Sequence, residues 1–297
     1  LHSLTQLTHL DVSWNELDDT GCEALIQAMG TLPCLHTLIL NGNKNITVEG
    51  WRTLAPLLTV PTLLHLELRQ VGSMHLEDVN HLTYLDFQDY VEKKDFSGFL
   101  GAQTSLKTLK MGQRHVTYFK SIGSFLKQQS QLTRFELQHG ADAMADVVSA
   151  LNMTTLTHLE LEGCMLGDVH MRTLAANGPQ LTQLQFLSLY DNCVSDSNVS
   201  DLAKLLSYTP LLTHLNLGNC DLTHNVGAEL AQCLAPLTQL RFLSLEGLVL
   251  VDVVHQAISG LTLLEDLNVA YTCSTGKDVG PMLQHLTNLM RLDLKQG

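Results

Sequence analysis

Twelve times along the chain the pattern Leu-x-x-Leu-x-Leu, or a close variant, returns in order, and no other feature restricts the fold as much. The copies begin at Leu7, Leu35, Leu63, Leu82, Leu106, Leu132, Leu156, Leu184, Leu212, Leu240, Leu264 and Leu289; five of the spacings are 28 residues and the rest fall between 19 and 26. One such motif is weak evidence in a Leu-rich chain, but twelve in succession mark a repeat architecture. In Leu10-Asp11-Val12 alternate residues face opposite sides of a short strand, so Leu10 and Val12 point inward while His9, Asp11 and Ser13 point out. Between motifs the apolar spacing changes to that of a helix. Val199, Leu202, Ala203 and Leu206 share one face, as do Cys22, Leu25, Ile26 and Met29, and nearly so Val226, Leu230, Cys233 and Leu234. Asp196 or Ser195 is positioned to cap the helix of the eighth repeat. One strand–helix unit cannot bury its apolar face alone, so the units must stack.

These residues resemble the leucine-rich repeat family, and the 28-residue copies are similar to its ribonuclease-inhibitor-like class. The resemblance covers nearly the whole chain. It implies an α/β fold: a single solenoid over residues 1–297, a horseshoe of about twelve repeats with a parallel concave sheet and convex helices. Asn15, Asn43, Asn192, Cys164 and Cys220 match the family's Asn/Cys position, whose side chain satisfies backbone groups in the turn. Val71, Tyr90, Arg114, Gly140, Leu248 and Thr272 depart from it. Repeats over about residues 63–151 are therefore expected to be irregular, and the 19-residue third copy leaves little room for a helix. With a motif almost at Leu1 and another close to Gly297, no capping unit is visible, and a segment of a longer protein or assembly is expected.

Stacked strands turn each outward position into a column of neighbours about 4.8 Å apart. The column two residues beyond the first Leu contains His158, Phe186, His214 and Phe242 on four successive repeats. Glu160, Glu162, Tyr190, Asp191 and Glu246 are expected to border these rings. Rings beside carboxylates suit a protein segment that carries Arg or Lys and an apolar anchor. The competing reading is that the rings only stabilise neighbouring strands. The imidazole rungs are also expected to respond mildly to pH, since His titrates near neutrality.

Composition narrows the alternatives. A formal charge of −13 and a pI near 5.4 argue against nucleic acid as a partner. Seven Cys without a Cys-x-x-Cys suggest neither a disulfide framework nor a zinc cluster, which favours a reducing, cytoplasmic setting. Three Asn-x-Ser/Thr sequons, at Asn45, Asn152 and Asn198, are close to chance expectation. The longest apolar run, near 248–258, contains Asp252 and His255, so no membrane span is expected. The fourteen His are spread along the chain without the clustering that metal ligation needs. Cys164 and Cys220 have packing roles, whereas Cys193 and Cys273 fall in loops. "NGNKN" at 41–45 lacks the spacing of a phosphate loop, and no catalytic signature occurs. The expectation is a non-catalytic interaction module without cofactor, metal or membrane, working inside a larger complex or multidomain receptor. The alternative is an activator of GTPases of the Ran-activator type, acting through repeat loops such as Trp14-Asn15 and residues 41–44, although no stretch matches that family's motif. The substrate arm of a ubiquitin ligase is a further option, but no F-box-like helix precedes the repeats.

Overall fold

A computed structural model describes residues 4–30, 32–71, 76, 79–88, 97–112, 122–272 and 276–295. The chain forms two compact units, residues 1–136 and 137–297. Tyr90, Arg114 and Cys273 lie outside the described residues.

The first unit carries strands β1 (His9–Asp11), β2 (Thr37–Ile39), β3 (His65–Glu67), β4 (Tyr84–Gln88) and β5 (Thr108–Gly112). Strand β6 (Arg134–Gln138) straddles the boundary at Glu136. The second unit carries β7 (His158–Glu162), β8 (Phe186–Ser188), β9 (His214–Asn216), β10 (Phe242–Ser244), β11 (Asp266–Asn268) and β12 (Arg291–Asp293). Each strand starts two residues after the first Leu of its motif, so the repeat frame read from the sequence holds in all twelve copies. β1 to β5 pair parallel and in register in chain order, and so do β7 to β12. Parallel neighbours need a crossover, and helices supply it for most repeats. These are α1 (Asp19–Met29), α2 (Val48–Leu58), α3 (Ser97–Ala102), α4 (Ile122–Gln128), α5 (Met144–Ala150), α6 (Asp168–Asn177), α7 (Val199–Ser207), α8 (Gly227–Leu234), α9 (Asp252–Ser259) and α10 (Gly276–Leu283).

Core formation follows the motif. Leu38, Leu40, Leu66 and Leu68 in the first unit are fully buried, as are Leu159, Leu161, Leu187, Leu189, Leu215, Leu217, Leu243 and Leu245 in the second. Each buried Leu contributes about 2 kcal/mol relative to exposure. The helices close the other side. α7 buries Val199, Leu202, Leu205 and Leu206, while Ala203, expected on that face, is only half-buried. Its start is a short 3-10 turn, Asp196–Asn198, with Ser195 and not Asp196 at the N-cap position, where Asn198 Oδ1 accepts from Ser195 N at 3.0 Å. α1 buries only Cys22 completely; Leu25, Ile26 and Met29 are half-buried, since α1 packs against α2 alone among the described helices.

The described middle repeats differ from those on either side. The described residues between β3 and β4 contain no helix, α3 and α4 are only 6 and 7 residues long, and β4 to β6 extend to 5 residues each.

The Asn/Cys position works as the resemblance implies in the inner repeats. Asn192 Nδ2 donates to the carbonyls of Leu161, Leu189 and Tyr190 at 2.6–3.2 Å, and its Oδ1 accepts from Cys164 N and Leu166 N at 3.0 Å. Asn43 does the same for Val12 O, Leu40 O and Leu17 N. Cys164 and Cys220 donate through sulfur to Leu137 O and Leu189 O at 3.3 Å. Asn15 departs from the expectation: it is exposed, and its Nδ2 donates within its own turn to Ser13 O. Of the exceptions, Thr272 recovers part of the role, since its buried hydroxyl donates to Val269 O at 2.7 Å. Val71 and Leu248 fill the position with buried apolar bulk.

The residue just before this position has positive φ in nine of the repeats: Trp14, Gly42, Gln70, His139, Gly163, Asp191, Asn219, Gly247 and Tyr271. The left-handed step turns the chain out of the strand, and its N–H still reaches the next repeat, as Asp191 N does to Gly218 O at 3.0 Å.

Candidate functional site

All nine residues that the sequence nominates lie on the open face of the second unit's sheet or on the turn beside it. His158, Phe186, His214 and Phe242 occupy the first position of β7, β8, β9 and β10. Registered pairing brings each directly beside the next. Their rings stack: His158–Phe186 at 3.8 Å between centroids and 15° between planes, Phe186–His214 at 5.5 Å and 24°, His214–Phe242 at 5.9 Å and 17°. These are offset-stacked geometries, which favour adjacent strands as well as presenting a surface. All four rings are half-buried.

Of the expected carboxylates Glu160 borders the stack directly, 3.7 Å from His158. Glu162, Tyr190 and Glu246 sit four residues further along their repeats, which displaces them by about 13 Å along the strand direction. Asp191 lies one residue beyond, exposed on the turn with φ of 56°. The ring bank and the acidic bank therefore face each other across a trough. Its floor is Glu160, Ser188, Asn216, Ser244 and Asn268, one from each strand from β7 to β11. Ser188 and Ser244 point to the open face yet are buried, shaded by the taller side chains on either bank.

Hydrogen bonds hold both banks in place. Glu162 Oε1 accepts from Ser188 Oγ at 2.8 Å, and Glu246 Oε2 accepts from Asn268 Nδ2 at 2.9 Å. The Tyr190 hydroxyl accepts from Asn219 Nδ2 at 2.6 Å. Glu160 Oε1 accepts from Gln138 Nε2 at 3.3 Å, and Glu160 Oε2 lies 3.7 Å from His158 Nε2. Gly218 lies between Tyr190 and Glu246, where a Cβ would sit 3.1–3.2 Å from both side chains. Burial, aided by His158 two strands away, lowers the His214 pKa below its ordinary 6.5, which favours the neutral ring at pH 7. Burial raises the Tyr190 pKa, with Glu246 and Asp191 adding to the effect, so its hydroxyl stays protonated.

Charge separates the two units. Residues 137–297 contain sixteen Asp and Glu against six Lys and Arg, a formal −10 of the chain's −13. The open face of the first unit has its own stacked pair, His65 and Tyr84 at 3.8 Å, but two of its carboxylates are tied to local cations. Arg69 pairs with Asp86, and Lys110 and Arg134 both reach Glu136.

Sequence reasoning missed the end of the ladder. Past Phe242 the registered position is Asp266, which has no ring. There a pocket of about 490 Å³ opens, lined by His214, Arg241, Phe242, Glu265, Asp266, Met290 and Arg291. Arg241, Glu265 and Met290 come from the residue just after the motif's first Leu, a column whose earlier members Thr157, Gln185 and Thr213 show no pattern to detect. Burial raises the thiol pKa of Cys164 and Cys220 to about 12, and of Cys22 and Cys233 to about 11. None of these four is a nucleophile near neutral pH.

Stacked strand–turn–helix steps with in-register parallel strands and an Asn/Cys turn bond define a leucine-rich repeat solenoid. The chain has the fold of a leucine-rich repeat solenoid, and its 28-residue steps are similar to those of the ribonuclease-inhibitor-like kind. A family model described as leucine-rich repeat matches residues 3–25. The ribonuclease inhibitor of Sus scrofa is 27% identical over 251 residues, an alignment that takes in 83% of this chain and 53% of the relative. The chain thus spans about half the length of that protein. Among solved structures, an internalin from Listeria monocytogenes superposes with a TM-score of 0.55 and 20% identity over 94% of this chain and 88% of its own, a likeness of fold. Leucine-rich repeats typically mediate protein–protein interaction. No helix among the described residues is long and apolar enough to cross a membrane.

Proposed function

We propose that the chain is a non-catalytic recognition module that holds a segment of another protein in the trough of its second unit. The observation that carries this reading is the opposition of two banks, four stacked rings on one side and Glu162, Tyr190 and Glu246 on the other. A segment lying along the trough would place Lys or Arg on the acidic bank and an apolar anchor on the rings. The hydrogen bonds that fix Glu162 and Glu246 in place lower the ordering cost of association. The matching relative is by name an inhibitor of a ribonuclease, which supports a role fulfilled by occupying another protein.

Affinity capture from the source cell with the intact chain, read by mass spectrometry, tests the reading. Combined Phe186→Ala and Phe242→Ala should remove the partners captured by the wild type while the melting temperature stays within a few degrees. Unchanged capture would remove the trough from consideration. Loss of folding together with capture would return the rings to the role of joining strands. The same preparation, assayed with candidate GTPases, should leave GTP hydrolysis unaccelerated; any catalytic acceleration would replace this reading with the GTPase activator.

A further inference from the structure

The ring ladder stops at Phe242, but the geometry that builds it does not. The strand pairing runs on through β11 and β12 in the same register, with Asp266 and Arg291 in the positions that rings hold on β7 to β10. The pocket of about 490 Å³ occupies the place where the next rung would lie, and Phe242 lines it.

We infer that this pocket takes an aromatic side chain of a protein partner, seated against Phe242 as the fifth rung of the stack. The inference rests on the recognition reading above and names the anchor that the partner brings. Two observations select the aromatic class. First, the four charges around the pocket are matched: Arg241 pairs with Glu265, and Arg291 Nη1 lies 3.2 Å from Asp266 Oδ2. His214 adds a neutral ring, so a neutral guest is favoured here even though the unit as a whole is acidic. Second, the groups presented are those that bind flat π-surfaces: a Phe face, two guanidinium groups and a thioether. Met290 lines the pocket from the residue just before β12 and is 79% exposed, so its methyl group is open to a guest there. A bare aliphatic side chain would use the burial but neither guanidinium. A cationic one would have to displace Arg241 or Arg291 from its carboxylate. The acidic bank, beginning about 13 Å away along the strands, is left to take the basic residues of the same segment.

The test uses the full chain labelled with ¹³C at the methionine methyl groups. Met290→Ala identifies the Met290 signal among the nine methionines. The probes are N-acetyl-tryptophanamide, N-acetyl-leucinamide and N-acetyl-argininamide. Only the tryptophan probe should move the Met290 methyl saturably, and the shift should be of the ring-current kind. Phe242→Leu should abolish the response. Arg241→Ala, a change at an exposed side chain that leaves the fold intact, should weaken it severalfold even if Phe242→Leu fails to fold. A saturable response to the arginine probe, an equal response to the leucine probe, or no response to any of the three would overturn the inference. The titration involves no cellular partner, so it can fail while the capture experiment succeeds, and failure of the inference is distinguishable from failure of the recognition reading.

Discussion

Asn192 and Asn15 occupy the same position in their repeats but do different work. Asn192 is buried and joins three carbonyls to two N–H groups, so its removal leaves several backbone groups unpaired in the interior. Asn192→Ala is expected to cost about 3 kcal/mol, whereas the exposed Asn15→Ala should stay within about 0.5 kcal/mol. Urea titration of both variants checks the contrast, and equal losses would refute it. His214 offers a second test at this scale. Burial holds its folded-state pKa below 6.5, so the unfolded chain takes up its proton first as pH falls. The stability that this ring contributes is complete above about pH 6.5 and is lost as pH falls through the folded value. His214→Phe keeps a ring in the stack and removes the proton. Its melting temperature should fall less than that of the wild type between about pH 7.5 and about pH 5.5; identical falls would exclude His214 as the source. Two carboxylates at helix starts stay clear of this window. Hydrogen bonds from Thr223 hold Asp196, and hydrogen bonds from Ser197 and Asn198 hold Asp168, below the ordinary carboxylate pKa, so both titrate at more acid pH.

Successive elements are tied to one another at two places, the turn after the strand and the start of the helix. At the turn, Gly42 has φ of 76° and lies under the indole of Trp14 from the preceding repeat, where a Cβ would collide with the ring. Gly42→Ala should therefore destabilise by about 2 kcal/mol, the left-handed penalty plus displacement of Trp14. Asn219→Ala at the equivalent turn position, where the residue already carries a Cβ, should cost clearly less. Equal losses in thermal unfolding would show that neither φ nor the indole matters. At the helix start, an acidic side chain reaches into the next repeat. Asp19 accepts from Thr47 N and Oγ1, Asp196 from Thr223 N and Oγ1, and Asp168 from Ser197 Oγ and Asn198 Nδ2. The elements themselves were legible in the sequence because their periods are simple. The alternation in Leu-x-Leu fixes which side of a strand is buried, and all twelve strands begin where it places them. The left-handed turn was not legible, because six of its nine occupants are Trp14, Gln70, His139, Asp191, Asn219 and Tyr271 in place of Gly. There the pairing of the next strand dictates φ against local preference. The ring stack was readable for the same reason as the core, since position in the repeat decides the neighbour. The trough and the pocket were not, because they depend on how tall neighbouring side chains are across several repeats.

For the whole molecule the decisive quantity is where its charge lies. Most of the −13 falls in residues 137–297, and on that unit's open face Glu162 and Glu246 hydrogen-bond to neutral donors, Ser188 and Asn268. In residues 1–136 the carboxylates of Asp86 and Glu136 are instead matched by Arg69, Lys110 and Arg134. A basic segment approaching this chain would therefore be drawn to the second unit before any contact forms. The field acts over about 8 Å at physiological ionic strength and is screened at higher salt. If the trough is the binding surface, replacing Glu160, Glu162 and Glu246 together by Gln keeps every side chain at nearly its original size and removes three charges from it. Binding of a captured partner should weaken, chiefly through a slower association rate, and its dependence on salt should flatten. The dissociation rate should change less, because the ring bank is untouched. Association measured by surface plasmon resonance between about 50 mM and about 500 mM salt separates the two contributions. A variant whose association rate and salt slope both match the wild type would show that the acidic bank plays no part, whatever the rings do.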